Sequence, residues 1–110
     1  MSENPEFVYV LQLKQNKFYV GYTQNLYYRL HQHVQGVGSK WTQLYPPIDV
    51  LVVRPGGRLL ENALAALYIS RFGWTNVRGG DWCVVDGTVP PKFLSLHPND
   101  VKKIEERKKN

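Results

Sequence analysis

The chain has 110 residues, a length that supports one small domain with a buried core and leaves no room for a second folding unit. Its net charge of +5 suits a polyanionic ligand such as nucleic acid, but many proteins share this balance. A single cysteine, Cys83, excludes an internal disulfide framework and a cysteine-rich zinc module. No apolar run is long enough to span a bilayer, and the acidic, polar start lacks the pattern of a secretory signal. We therefore expect an intracellular protein, in the cytoplasm or nucleus, without a membrane partner.

The first elements are predicted to form a β-hairpin, because two apolar runs at residues 7–13 and 18–22 flank the polar residues 14–17. A two-residue loop would point Tyr9 and Tyr19 to opposite faces of the sheet, whereas an odd loop length or a bulge would place them on one face. The loop lacks Asn-Gly and Asp-Gly, so a three-residue or bulged connection is at least as compatible with the sequence. Taken without their surroundings, both tyrosines are typical strand aromatics.

A helix follows the hairpin, with Asn25 as its predicted N-cap and Leu26 near its first turn. Arg29 and His33 are one helical turn apart on it. Both lie beside the apolar stripe rather than opposite it, so they are expected to flank the buried seam.

The order of these residues resembles that of the GIY-YIG nucleases. Phe7-Val8-Tyr9 stands where that family has Gly-Ile-Tyr, and Tyr19-Val20-Gly21 stands where it has Tyr-Ile-Gly, with Gly21 as the structural glycine. Arg29 and His33 match the arginine and the following Tyr/His of the family's first helix. Two positions differ from the pattern, because Phe7 replaces the first glycine and Tyr22 replaces a frequent lysine.

The middle of the chain is predicted to contain an exposed loop at residues 35–45, rich in Gly and Ser. Lys40 could contact a phosphate beside a stacking surface on Trp41, or Trp41 could fold back onto the core. The sequence favours neither interpretation. The nearly continuous β-branched run at residues 48–53 then predicts a central strand buried on both faces.

A second helix is predicted over residues 58–72, where leucines and aromatic residues recur at helical spacing. Glu61 lies on the side of this stripe. A carboxylate there is expected to face a cleft or a cation, because an unpaired buried charge is costly. Its structural alternative is a first-turn glutamate that the helix dipole stabilises.

A compact, turn-rich segment at residues 74–82 contains Asn76 and Arg78, which we predict to contact nucleic acid. Asn76 matches an asparagine that follows the family's catalytic glutamate, although the interval from Glu61 is longer than the family pattern. Asn62 is the local alternative for this amide, on a different face of the helix.

The end of the chain is strongly charged. Asn99 is predicted to cap a short helix, and residues 101–110 hold five Lys/Arg against two Glu. Such a run is typical of a solvated face or frayed end, with nucleic-acid contact as the alternative. We expect a domain at residues 1–100 and a basic tail at residues 101–110.

The predicted fold class is α+β, with a small, mainly antiparallel sheet of three strands and flanking helices; the resemblance implies the same arrangement. The resemblance also implies a metal-dependent endonuclease that hydrolyses phosphodiester bonds in DNA, with structure-dependent or weak sequence specificity, as in DNA repair or recombination. The expected catalytic residues are Tyr9, Tyr19, Arg29, His33 and Glu61. The expected nucleic-acid contacts are Arg29, Lys40, Trp41, Asn76 and Arg78.

The resemblance assigns a role to each catalytic residue. Tyr9 would be the general base with His33 as its proton relay, and Tyr19 would orient the water or the phosphate. Arg29 would hold the scissile phosphate, and Glu61 would bind Mg²⁺ or Mn²⁺. A protein partner could supply substrate specificity, and the sequence does not indicate an oligomeric state.

Two other classes of protein remain compatible with the sequence. A catalytically silent nucleic-acid-binding module would have no use for Glu61 and His33 together. A protein-interaction domain on the same fold would use the aromatic surface and would show no salt-dependent binding to DNA.

Overall fold

The structure is a computed structural model that describes residues 5–80 and 82. These residues form one sheet with helices on both faces, which confirms the α+β prediction. The strands are β1 (Phe7–Leu13), β2 (Lys17–Thr23), β3 (Pro47–Pro55) and β4 (Val77–Gly79). The helices are α1 (Leu26–Val34), α2 (Lys40–Leu44) and α3 (Arg58–Phe72). The predicted C-terminal helix and basic tail lie outside the described residues, and so does the boundary between domain and tail.

The connection between β1 and β2 is a three-residue turn of 3₁₀ helix, Lys14–Asn16. Gln15 and Asn16 adopt the left-handed conformation there, with φ of 62° and 59°. Asparagine tolerates this conformation better than most residues, whereas Gln15 adopts it at a cost. The odd number of turn residues fixes which side chains share a face of the hairpin.

The register of the hairpin places the two tyrosines on the same face. Tyr9 pairs with Gly21, and Leu11 pairs with Tyr19. Because directly paired residues point to the same side and side chains alternate along each strand, all four side-chain positions face one way. Of the connections compatible with the sequence, the structure therefore adopts the three-residue turn.

The sheet order is β3-β1-β2-β4, so the prediction of three strands was one strand short. The added strand, β4, pairs with β2 in parallel, and the other pairings are antiparallel. The prediction that residues 48–53 form a buried central strand was wrong. β3 lies at the edge of the sheet, and Ile48, Val50 and Val53 are substantially exposed. The inner strands are β1 and β2, and residues 8–11 of β1, which lies between β3 and β2, are buried.

The two faces of the sheet carry separate apolar clusters. On one face α1 and α2 pack on the buried strand residues Tyr9, Leu11, Leu13 and Tyr19, and α2 contributes the buried Trp41 to the same cluster. On the other face α3 packs on the buried residues Val8, Val10, Phe18, Val20 and Val77. None of the described helices combines the length and hydropathy needed to cross a bilayer.

Helix capping explains where α1 and α2 begin. The side chain of Asn25 accepts a hydrogen bond from the Tyr28 amide, as predicted for the N-cap of α1. α2 was not predicted, because residues 35–45 were expected to form a loop. Ser39 caps it by accepting a hydrogen bond from the Thr42 amide.

Candidate active site

Two tyrosines and a histidine form a compact aromatic group under α1. The ring centroids of Tyr9 and Tyr19 are 6.3 Å apart, and the His33 ring lies 5.6 Å from the first and 5.1 Å from the second. All three side chains are buried, and Tyr9 has no exposed surface. The hairpin register and one turn of helix thus bring together three of the five predicted catalytic residues.

Gly21 makes room for the end of the Tyr9 side chain. It lies directly across the hairpin from Tyr9, and a Cβ atom at this position would overlap the Tyr9 hydroxyl and the adjacent ring carbons. Any residue other than glycine would therefore displace the hydroxyl from its present position.

His33 holds the hydroxyl of Tyr9 from the helix side. Its Nε2 atom lies 2.7 Å from the Tyr9 hydroxyl, and its Nδ1 atom lies 2.9 Å from the hydroxyl of Thr42. Burial, together with the charge of Arg29, lowers the pKa of His33 to about 4. The imidazole is therefore neutral near pH 7 and can accept a proton.

Arg29 lies one helical turn before His33 and is half-buried, with its Nη1 donating to the side-chain oxygen of Gln32 at 3.0 Å. Its charge acts on both tyrosine hydroxyls. Burial raises the pKa of Tyr9 and the Tyr19 hydroxyl adds to this, whereas Arg29 lowers it by less. Tyr9 is therefore a neutral phenol near pH 7, because the effect of burial on its pKa outweighs that of the nearby cation.

Glu61 approaches the group from the opposite face of the sheet. It lies in the first turn of α3 and begins the most buried line of that helix, which continues through Ala65 and Ile69. Its side chain is only 9% exposed, and its charge contributes to the raised pKa of Tyr9. The carboxylate is therefore within electrostatic reach of the tyrosine hydroxyl. Among residues 5–80 and 82, no group of three or more His, Cys, Asp or Glu side chains could enclose a metal ion.

Trp41 and Arg78 do not offer the exposed contacts that the sequence suggested. The Trp41 ring is buried, and its Nε1 donates to the Phe18 carbonyl at 2.9 Å. The Arg78 guanidinium lies 4.2 Å from the centroid of the Trp41 ring and 4.7 Å from that of Trp82, and Arg78 is only 2% exposed. This cation packs between two indoles inside the fold, so base stacking on Trp41 and phosphate binding by Arg78 do not fit the structure.

Asn76 serves the backbone around it. Its amide nitrogen donates to the Phe72 carbonyl at the end of α3, and its side-chain oxygen accepts a hydrogen bond from Lys17, each at 2.7 Å. Lys17 is the first residue of β2, next to the hairpin turn, whereas Tyr9 pairs with Gly21 near the other end of this strand. The alternative amide, Asn62, follows Glu61 and lies against Gly80.

Two residues that sequence reasoning missed complete the surroundings of His33. Thr42 is buried and hydrogen-bonded to the imidazole, and a Cβ atom on Gly38 would overlap the His33 ring. The signal that could have found Thr42 is the Ser-x-x-Thr spacing from Ser39, which is typical of a helix start. Lys40, the other predicted contact of this segment, is exposed at the first position of α2.

The comparison with known families agrees with this geometry. Residues 5–55, which carry β1, β2, α1, α2 and β3, match the model of the GIY-YIG catalytic domain. Together with the relatives described next, this match shows that the chain belongs to the GIY-YIG family of nucleases.

The similar curated proteins are UPF0213 proteins from bacteria. UPF0213 protein YazA of Bacillus subtilis is 31% identical over 71 residues, which cover 64% of this chain and 72% of that protein. UPF0213 protein OB0043 of Oceanobacillus iheyensis is 38% identical over 52 residues, covering 47% and 60%. A UPF0213 protein of Xanthomonas campestris is 33% identical over 54 residues, covering 49% and 53%. No solved structure matches the chain significantly.

Proposed function

We propose that this protein is a metal-dependent endonuclease that hydrolyses phosphodiester bonds in DNA. The observation that carries the proposal is the hydrogen bond between the Tyr9 hydroxyl and a buried, neutral His33, with the Arg29 cation facing the same hydroxyl. A hydrophobic core with only a structural role would not need a hydrogen-bonded Tyr–His pair beside an arginine. Phosphodiester hydrolysis requires an activated water, neutralisation of the charge that develops on the phosphate, and departure of the 3′ oxygen.

Arg29 is the proposed phosphate-binding residue. Its guanidinium carries several donors in a planar fork that matches two phosphate oxygens. Tyr9 has no exposed surface, and the half-buried Arg29 faces its hydroxyl. DNA would therefore reach the hydroxyl only when the Arg29 side chain turns towards the phosphate. That movement would expose the tyrosine hydroxyl to the attacking water.

Tyr9 would act as a general base through a relay rather than as a tyrosinate. A water proton passes to the Tyr9 oxygen while the phenolic proton passes to Nε2 of His33. The resulting hydroxide attacks phosphorus, the bond from phosphorus to the 3′ oxygen breaks, and the leaving oxygen takes a proton from solvent. Tyr19, whose ring lies next to both partners, would orient the water or the phosphate.

Glu61 is the residue that would hold Mg²⁺ or Mn²⁺. It offers one largely buried, hard oxygen ligand, and a magnesium site built from one carboxylate is usually completed by water and substrate phosphate. Such a cation, when bound, neutralises charge on the phosphate and on the leaving oxygen. The donor set fits Mg²⁺ better than Zn²⁺, which prefers several His or Cys ligands.

Contacts to the rest of the DNA would be electrostatic. Lys40 is exposed at the start of α2 and is available to a phosphate, and the basic residues 101–110 add positive charge. Contacts of this kind give affinity without reading bases, which supports structure-dependent or weakly sequence-specific cleavage.

A protein-interaction domain on the same fold is the second candidate function. The exposed apolar side chains Ile48, Val50, Leu51 and Val53 along the edge strand β3 favour it, because edge strands with apolar side chains are common binding surfaces. This candidate predicts binding that does not depend on salt or DNA, and the same surface could serve a partner that directs the nuclease to its substrate.

The test is an assay of the purified chain on duplex, flap and branched DNA with and without Mg²⁺ or Mn²⁺. We expect cleavage of at least one of these substrates in the presence of the metal only. Absence of cleavage of every substrate, by protein that binds DNA or by protein that does not, would overturn the nuclease assignment.

A further inference from the structure

We propose that Thr42 is a positioning residue for the general base: its hydroxyl accepts a hydrogen bond from Nδ1 of His33, which leaves Nε2 as the acceptor for the Tyr9 proton. This inference rests on the proposed function for its catalytic meaning. The tautomer that it assigns is a property of the protein alone and can be measured without DNA.

A neutral imidazole has one hydrogen-bond donor and one acceptor. One ring nitrogen carries a proton and the other carries a lone pair, so the contacts of His33 to Tyr9 and to Thr42 must have opposite polarity. Fixing the direction of either contact therefore fixes the direction of the other.

The hydrogen bonds of Thr42 favour a hydroxyl that accepts from Nδ1 of His33. The threonine hydroxyl has one proton, and it donates to the Ser39 carbonyl at 3.1 Å, a group that can only accept. Its lone pairs then accept from Nδ1 of His33 at 2.9 Å and from the Ser39 hydroxyl at 3.1 Å. This arrangement uses the full donor and acceptor capacity of a buried hydroxyl.

The surroundings of Tyr9 independently favour a hydrogen bond that Tyr9 donates to Nε2 of His33. Arg29 on α1 acts on the imidazole through its charge, and the rings of Tyr9 and Tyr19 on the hairpin lie beside the imidazole. The charge of Glu61 reaches Tyr9, and Asp49 on β3 lines a cavity together with His33. A guanidinium can only donate, so the Tyr9 oxygen presents a lone pair to Arg29. The phenolic proton is then directed to Nε2 of His33 at 2.7 Å.

The segment that carries Thr42 is built around the ring. Gly38 lies against Nδ1 and the neighbouring ring carbon of His33, where a Cβ atom would not fit. Ser39 caps α2 through the Thr42 amide at 3.2 Å and so holds the threonine in place. Because this tautomer has a lone pair on Nε2, the proton from Tyr9 produces an imidazolium whose Nδ1 proton still has its acceptor, Thr42.

The direct test is ¹⁵N NMR of the full chain labelled at histidine, with the His33 signals assigned by their loss in His33→Gln. We expect a neutral ring near pH 7 that carries its proton on Nδ1. A ring that carries its proton mainly on Nε2 would overturn the inference, whether or not the protein cleaves DNA.

The functional test compares Thr42→Val, which keeps the shape and removes the hydroxyl, with Thr42→Ser, which keeps the hydroxyl. We expect Thr42→Val to move the proton to Nε2 and to lower single-turnover cleavage about 10- to 100-fold, with DNA binding unchanged. Thr42→Ser should keep the Nδ1 proton and cut within a fewfold of the parent.

Several outcomes separate this inference from the proposed function. If Thr42→Val cuts as fast as the parent, or loses activity without a change of tautomer, the positioning role is refuted. If the parent does not cleave, the nuclease proposal fails while the NMR result still decides the tautomer. Should Thr42→Val not fold, the parent and Thr42→Ser spectra decide the assignment.

Discussion

Replacing Gly21 by alanine tests whether the space opposite Tyr9 exists for the tyrosine hydroxyl. The added methyl would overlap the hydroxyl and the end of the ring, and the ring has no exposed surface through which it could move away. Overpacking of this kind costs about 1 to 3 kcal/mol of unfolding free energy. A displaced hydroxyl also loses its 2.7 Å contact with His33, so we expect single-turnover cleavage to fall about 100-fold or more.

Gly36→Ala is the matched control. Gly36 has φ of +77° and nothing within 4 Å of the position of an added Cβ, so alanine there costs about 1 to 2 kcal/mol through backbone strain alone. Urea unfolding and single-turnover cleavage of the same DNA with Mg²⁺ are measured for both variants. We expect similar losses of stability but loss of activity in Gly21→Ala only. A folded Gly21→Ala protein that cuts at the parent rate would refute the role given to the Tyr9 hydroxyl.

Three further predictions follow from charge and protonation. Because the pKa of His33 is about 4 in the fold against about 6.5 in the unfolded chain, the unfolded state binds more protons between these values. The unfolding free energy, measured with urea, should therefore fall by at most about 3 kcal/mol as the pH drops from 6.5 to 4. The fall should be less steep in His33→Gln, whereas the control His31→Gln, at an exposed position, should behave like the parent. Arg29→Lys keeps the charge but loses the planar fork, so we expect DNA affinity within a fewfold of the parent and cleavage reduced about 100-fold; equal cleavage would exclude bidentate phosphate binding. Removing residues 101–110 takes away three net positive charges and should flatten the salt dependence of DNA binding, while cleavage at saturating DNA persists; an unchanged salt slope would show that the tail does not contact DNA.

The hairpin and α1 could be predicted from local sequence. Two short apolar runs around a polar segment and the Asn25 cap are signals that act within a few residues, and the structure follows them. Whether Tyr9 and Tyr19 lie on the same face of the sheet depends on whether the turn has two or three residues. The sequence left that choice open, because two consecutive left-handed residues, Gln15 and Asn16, have no strong local signature.

The parts that were predicted wrongly depend on contacts between distant residues. An apolar run such as β3 has the same pattern at the edge of a sheet as at its centre, because strand order is set by pairing with the rest of the chain. β4 has only three residues and pairs in parallel with β2, so nothing local marks it. Arg78 looked like a surface cation, and only the fold places it between Trp41 and Trp82.

The Glu61→Gln variant shows whether this site cleaves DNA with a metal ion held by the carboxylate. The control is Asp49→Asn, which removes the same charge from an exposed position on the edge strand β3. Both variants are measured by single-turnover cleavage and equilibrium DNA binding across a Mg²⁺ titration. We predict that Glu61→Gln stays folded, binds DNA at least as well as the parent, and cuts about 1,000-fold or more slowly, whereas Asp49→Asn cuts like the parent. A Glu61→Gln protein that cuts within a fewfold of the parent, with the same Mg²⁺ dependence, would show that Glu61 does not hold a catalytic metal ion and would refute metal-dependent cleavage by this site.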